Sequence, residues 1–349
     1  MNNRYVNCSP VYHRGRRTLY NRIMIEIQRC SDKEKWDDYV IDEDGHPLQL
    51  WGWGQVKASH GWKAERFFAY NEGALVGAAQ VLVRRLPAPL TSFSYIPRGP
   101  LGDPLFRDEM LSEIAKICKK DHRSVALSIE PNSREFKIPK GWKRSKNQIL
   151  PAETVLLDLT KSESDLLSMM AKKTRQYIRK SAAEGIEIRR VRTKEALEEC
   201  LNIYEQTAAR AGFNIHSRQY YIDVMQKMGD HSPIFAAYLD NTPISFLWVA
   251  VSAETAFELY GGMNEDGQRL RANYALKWHV IRKAKEWGLS EYDFGGLVVG
   301  GVSSFKQGWT DEETVHAGTF DRALSPLYPL WSSLLPRAKK LAQTFRRQR

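Results

Sequence analysis

The residues best suited to chemistry sit late in the chain, between Glu291 and Trp309 (EYDFGGLVVGGVSSFKQGW). Glu291–Phe294 reads as a short buried strand. Glycines at 295, 296, 300 and 301 let the backbone that follows bend and approach a ligand closely. A single cation, Lys306, then stands behind an aromatic, Phe305, and Gly308-Trp309 closes the run. A lysine so placed can stabilise a developing oxyanion or hold the end of a polyanion. If desolvated, it can also lose its proton near neutral pH and relay it. The plain alternative is a loop with a solvated lysine, and spacing alone does not choose between them.

Two further groups of cations stand out. Lys57 lies in LQLWGWGQVKASHGW, among Trp51, Trp53, Val56 and Trp62. It is either a surface lysine beside packed aromatics or a ligand contact. The second group is Lys172, Lys173, Arg175, Arg179 and Lys180, all within one helical stretch. That face is either solvated or laid against a phosphate backbone.

These residues need elements to position them. A length of 349 residues favours two domains. A 42% hydrophobic and 11% aromatic content can fill two cores. The net charge of +11 suits an anionic partner: nucleic acid, a phosphorylated small molecule or an anionic membrane. Cys8, Cys30, Cys118 and Cys200 are scattered and lack metal or CxxC spacing, so free thiols in a reducing cytoplasm are expected, with no metal and no cofactor. No apolar run reaches the ~18–20 residues that a membrane helix needs. No apolar segment follows Arg14, Arg16 and Arg17, which argues against a signal peptide.

In order, residues 1–23 read as a disordered extension. Folding is expected to begin at Met24 with MIEIQRCSDKEKWDDYV, a strand and then a helix capped by Ser31 with Glu34 at the capping-box position. Arg66–Asn71 and Ala74–Arg84 form a hairpin across Glu72-Gly73. Phe93–Ile96 is a strand, Leu105–Lys119 a helix and Ser124–Glu130 a buried strand. The pattern then recurs. Ala69-Tyr70 returns 168 positions later as Ala237-Tyr238, and Glu72-Gly73 as Asp240-Asn241. A strand, a helix over Asn273–Trp287 and the strand Glu291–Phe294 follow as before. Duplication of one α/β unit explains the order.

Between the halves, Thr154–Leu159 reads as a strand. Ser162–Glu184 reads as one long helix carrying the basic face, with Gly185 ending it. Gly185–Arg192 is a strand, and Lys194–Gly212 and Ser217–Met228 are helices. Thr314–Thr319 is expected as the last strand. Leu324–Gln348 is expected as a closing helix with a solvated basic end; its alternative is an amphipathic segment on an anionic membrane.

Several stretches together resemble the FemABX family of non-ribosomal peptidyltransferases. They are LWGWGQVKASHGW, YIPRGPLGD, KKTRQYIRKSAAEGIEI, ELYGGMNEDGQRLRANYALKWHVIRKAKEWGLSEYDFGG and VSSFKQGW, spread over about residues 48–310. The resemblance implies two tandem GNAT-like domains: 24–150 plus 320–349, and 151–319. No sustained heptad run suggests the coiled-coil arm of some relatives. It implies transfer of an aminoacyl group from aminoacyl-tRNA to a stem-peptide amine of a UDP-MurNAc-peptide or lipid II. The protein would be a cytoplasmic monomer with possible peripheral contact at the inner membrane surface.

Position by position, the resemblance implies that Lys57 contacts the precursor's diphosphate. His216 in GFNIHSRQYY falls where relatives place a phosphate-binding arginine, with Arg218 as a neighbouring substitute. Tyr220 and Tyr260 would line the peptide site, Asp103 falls on a proposed base, and Phe305-Lys306 falls on the family's key lysine motif. The basic helix would contact tRNA. Rival readings are a CoA-dependent N-acetyltransferase, a non-catalytic RNA- or envelope-binding protein, and a tRNA-dependent transferase acting on another amine. The first needs an R/Q-x-x-G-x-G/A diphosphate loop, which neither half contains.

Overall fold

Two hairpins with the same turn chemistry anchor the two halves. Trp62–Asn71 turns through Glu72-Gly73 into Ala74–Arg85, and Ile234–Leu239 turns through Asp240-Asn241 into Thr242–Val251. Both central residues of each turn have positive φ, 50° and 82° in the first and 46° and 63° in the second. That handedness matches the twist of paired strands. Each hairpin also slips register at its Ala-Tyr step, at Ala69/Tyr70 and at Ala237/Tyr238. The repeat seen in the sequence thus extends to the position of a β-bulge.

The computed structural model describes residues 24–297, 305–310 and 314–333. Each hairpin nucleates a sheet of the same order. The first places Ile25–Arg29, Trp62–Asn71, Ala74–Arg85, Ser92–Pro97, Ser124–Glu130 and Phe320–Ala323 side by side, with Lys143–Arg144 beyond. The second runs Glu187–Val191, Ile234–Leu239, Thr242–Val251, Thr255–Met263, Glu291–Asp293 and Leu156–Asp158. In both, the fourth and fifth strands are parallel. A parallel pair needs a crossover, and helices Arg107–His122 and Ala272–Glu286 supply it.

The crossover helices bury their stripes on the sheets. Met110, Leu111, Ile114, Ala115 and Cys118 face the first sheet; Ala272, Leu276, Val280, Ile281 and Ala284 face the second. A further cluster joins the halves: Trp36, Val40, Trp53 and Val56 pack with Tyr220, Tyr221, Val224 and Trp248. Each fully buried large side chain contributes roughly 1.5–3 kcal/mol. Cys30, Cys118 and Cys200 are free thiols.

Four local expectations change. The first helix, Lys33–Asp42, is capped by Asp32, whose carboxylate accepts from the Glu34 and Lys35 amides; Ser31 lies one residue too early. The long basic helix is two helices, Glu163–Met169 and Lys172–Ala182. The chain is extended at Met170 and Ala171, where the Ala171 amide donates to the Gly308 carbonyl instead of continuing the helix. Thr154–Leu159 splits into Glu153–Thr154, which pairs with Thr314–Val315, and Leu156–Asp158 in the second sheet. The last main strand is Phe320–Ala323, set against Ser124–Glu130. Residues 1–23 and most of the closing segment lie outside the described residues.

Candidate active site

The second sheet opens where the first stays closed. Parallel pairing of Thr255–Met263 with Glu291–Asp293 ends at Phe257 opposite Asp293. Beyond it, Thr255–Met263 continues without that neighbour. It is also bulged there, because Val249 pairs with Glu258 and Trp248 with Tyr260, leaving Leu259 extra. The bulge re-aims the side chains on either side of it. Tyr260 joins the aromatic cluster of Tyr204, Tyr220, Tyr221 and Trp248, while Glu258 meets Lys277 and Tyr292. Gly295 enters the opening at φ 60°, and a β-carbon there would lie 2.5 Å from the Glu258 carbonyl oxygen. Only glycine meets both conditions.

Lys306 closes this opening from the far side. Its Nζ donates to the carbonyls of Phe294 (2.6 Å), Gly295 and Gly296 (2.9 Å). All three ammonium protons are thereby used on the glycine turn. Burial pulls the Lys306 pKa down, against the pull of Glu258 and Asp293. Beneath it lies Lys277, whose ammonium donates to Glu258 Oε1 and sits 4.5 Å from the Phe294 ring centre. Burial holds Lys277 to about 8, with the Glu258 charge opposing and Lys306 adding. Tyr292 donates to the same Glu258 oxygen at 2.8 Å.

The second cluster is built by close helix packing. In helix Trp51–Ser59, a β-carbon on Gly52 would lie 2.3 Å from the Lys227 carbonyl oxygen, so this glycine lets the helix cross Arg218–Met228 at backbone contact. One turn on, Lys57 Nζ donates to Tyr220 Oη at 2.8 Å and lies 4.4 Å from the Trp53 ring centre. Burial, with Arg84 assisting, lowers Lys57 to about 8. His216 stacks on Tyr220 with ring centres 3.9 Å apart and planes 22° apart. Burial, then Lys57 and His60, push the His216 pKa down. Burial raises Tyr220 to about 12, and Tyr260 hydrogen-bonds to it. Lys57, His216, Tyr220 and Tyr260 therefore meet.

Residues 32–148 match the FemAB family and residues 168–307 match the acetyltransferase (GNAT) domain. A lipid II:glycine glycyltransferase of Staphylococcus epidermidis is 23% identical over 387 residues, spanning 85% of this chain and 92% of that enzyme. The crystal structure of FemX superposes with a TM-score of 0.77 at 20% identity, covering 88% of this chain and 100% of that one. The first half thus carries a FemAB-family match and the second a GNAT-domain match. The fold is the tandem GNAT arrangement; a tandem GNAT protein from the clavulanic acid biosynthesis pathway matches at a TM-score of 0.52 and 11% identity, over 87% of this chain and 99% of that one.

Other residues singled out by the FemABX resemblance fall elsewhere. Arg218 is exposed and pairs with Glu205 (2.7 Å) and Asn202 (2.6 Å). Asp103 is exposed and accepts the Leu105 amide at 2.8 Å, fixing the turn before Arg107–His122. Among the described residues, no hydrogen bond or ion pair joins it to Lys57 or Lys306. Phe305 is a wall, edge-on to Tyr274 at 4.9 Å and beneath the Lys277 charge at 5.1 Å.

In the basic helix, Arg175 turns inward and donates to the carbonyls of Leu167 (3.3 Å), Ser168 (3.2 Å) and Met170 (2.5 Å), closing the end of the preceding helix. Its guanidinium is thus held by the protein, while Lys172, Lys173, Arg179 and Lys180 remain exposed.

The Glu258–Lys277–Tyr292 network is absent from the sequence reading. Its signal was a lysine within the apolar stripe of Ala272–Glu286, which only a buried partner can satisfy.

Proposed function

We propose that this protein is an aminoacyltransferase that moves an aminoacyl group from aminoacyl-tRNA to an amine on the stem peptide of a peptidoglycan precursor, a UDP-MurNAc-peptide or lipid II. The observation that carries this reading is the opened second sheet, with a lysine-clamped glycine turn on one side and Lys57 on the other. An ammonium has three protons. Lys57 spends one on Tyr220 and leaves the others for a ligand. A precursor diphosphate takes them, and His216 adds a charge-assisted contact when protonated.

In the reaction, the acceptor amine attacks the ester carbonyl and forms a tetrahedral oxyanion. Collapse breaks the ester bond, and the amine proton leaves with the ribose hydroxyl. Lys306 holds the glycine turn in the shape that receives the donor terminus. It serves the oxyanion directly by exchanging one carbonyl partner for it. Lys172, Lys173, Arg179 and Lys180 offer an exposed basic face to the tRNA backbone.

We take 24–150 with 320–349, and 151–319, as the two units, acting as a monomer. No described helix is long and apolar enough to cross a membrane. The proposed site of action is the cytoplasmic side, with peripheral contact where the acceptor is lipid-linked.

The test is incubation with a pool of charged tRNAs and either acceptor, read by mass spectrometry. The expected result is an acceptor heavier by one or more amino-acid residues and dependent on intact tRNA. A shift that follows acetyl-CoA instead moves the protein to the rival reading, and no shift with any donor overturns the proposal.

A further inference from the structure

A further polar cleft is lined by residues of the first half. Its volume is about 210 Å³, and its lining includes His46, Arg98, Arg107, Glu43 and Asp44. Arg98 is 2% exposed and His46 1%. Arg98 follows the closed strand Ser92–Pro97 in a left-handed conformation, φ 45°, which a non-glycine residue adopts only when its surroundings impose it. His46 belongs to the first half, yet its ring lies edge-on to Phe257 of the second at 4.7 Å.

Three buried nitrogens of this cleft have no hydrogen-bond acceptor among the described residues. The Leu48 amide donates to His46 Nδ1 at 3.1 Å, so the neutral ring carries its proton on Nε2. Burial, with Arg98 next, lowers the His46 pKa and keeps the ring neutral. That Nε2 is buried without a partner, as are the Nε atoms of Arg98 and Arg107. Among the described residues, no carboxylate lies within ion-pair distance of Arg98. The Asp293 and Glu291 charges act on it only from farther off, and Asp293 is already engaged by Thr154 at 2.5 Å and the Gly295 amide at 2.8 Å. A buried guanidinium left so is expensive unless something else accepts from it.

We propose that His46, Arg98 and Arg107 form a binding site for one small oxyanion, a carboxylate or phosphate group, held in this cleft of the first half. Arg107 is anchored with its guanidinium 4.5 Å from the Phe136 ring centre, so its planar fork is pre-set. Glu43 and Asp44 are exposed on the lining of the same cleft. The cleft is distinct from the proposed diphosphate contact at Lys57, so this site stands or falls independently of the transfer reaction.

The experiment is a thermal-shift titration of the full chain and of Lys57→Met, with inorganic phosphate and separately with acetate, against chloride at matched ionic strength. The expected result is a saturable rise in Tm with at least one of the two anions, retained in Lys57→Met. Its midpoint should move by about tenfold or more in Arg107→Gln, the loss of one charge-assisted hydrogen bond. A response to phosphate alone assigns a phosphate group, and one to acetate alone a carboxylate. Arg98→Lys, checked for folding by circular dichroism, should weaken binding further; if it fails to fold, Arg107→Gln decides. The proposal is overturned if neither anion acts saturably, or if Arg107→Gln leaves the midpoint unchanged, in which case buried water satisfies these donors.

Discussion

The two halves share a strand order, a hairpin turn and a bulge position, yet they treat their parallel strand pair in opposite ways. In the first half, Ser92–Pro97 and Ser124–Glu130 remain paired to the end, with Pro97 opposite Glu130. Glu130 is buried and fully engaged: it accepts from Tyr95, from the Ile149 and Leu150 amides at 3.0 Å each, and from Thr319 at 2.6 Å. In the second half, pairing stops at Asp293, and a glycine turn, the buried Lys277, the half-buried Lys306 and Glu258 occupy the opening. A duplicated unit can thus keep one copy closed as a scaffold and open the other as a site. The difference lies in a few side chains at one strand end.

Several measurements would break or sharpen this contrast. The largest effect is expected from Lys277→Met. It leaves Glu258 buried with only Tyr292 donating, which costs about 3–5 kcal/mol of stability by denaturant unfolding. A loss near zero would mean that the opening is already wet. Next is Lys306→Met, which frees three carbonyls and should lower the single-turnover transfer rate about a hundredfold at saturating acceptor. An unchanged rate would reduce the opened half to another scaffold.

Glu130→Gln probes the closed half. It should cost about 1–3 kcal/mol in stability with the turnover rate of the folded enzyme unchanged. A selective loss of rate would show that the closed half also does chemistry.

Lys57→Met should raise the acceptor KM about tenfold with little change in rate at saturation. The sign of its pH dependence follows from burial. Lys57 titrates near 8 instead of 10.5, so it is charged below pH 8 and neutral above. An anionic acceptor prefers the charged form, so affinity should hold below pH 8 and fall above it. Lys57→Arg should abolish that fall. The smallest effect separates two residues of the basic helix. Arg175→Ala should cost about 1 kcal/mol in stability and leave RNA affinity alone. Arg179→Ala should leave stability alone and reduce the salt dependence of RNA binding by about 0.9 in log–log slope.

Much of this architecture was legible in the chain itself. The hairpins, both crossover helices and the repeat follow from residue order, because hydrophobic period and turn chemistry are local properties. The return of Ala-Tyr and of a turn dipeptide at equal spacing announced two copies of one unit before any coordinates. The glycines after Phe294 marked a place where the backbone could bend and come close to a partner. Local sequence was silent on what stood across that contact. Nothing around Met170 announces a helix break, because its cause is the Gly308 carbonyl, far along the chain. Arg175 and Arg179 look alike in one dimension; one closes a helix end and the other faces water. Whether a lysine keeps protons to spare, as Lys57 does, or has spent them all, as Lys306 has, depends on acceptors brought in from distant segments. That is a fact of tertiary structure, because a hydrogen bond is decided by distance and direction, and only the folded chain sets those between remote residues.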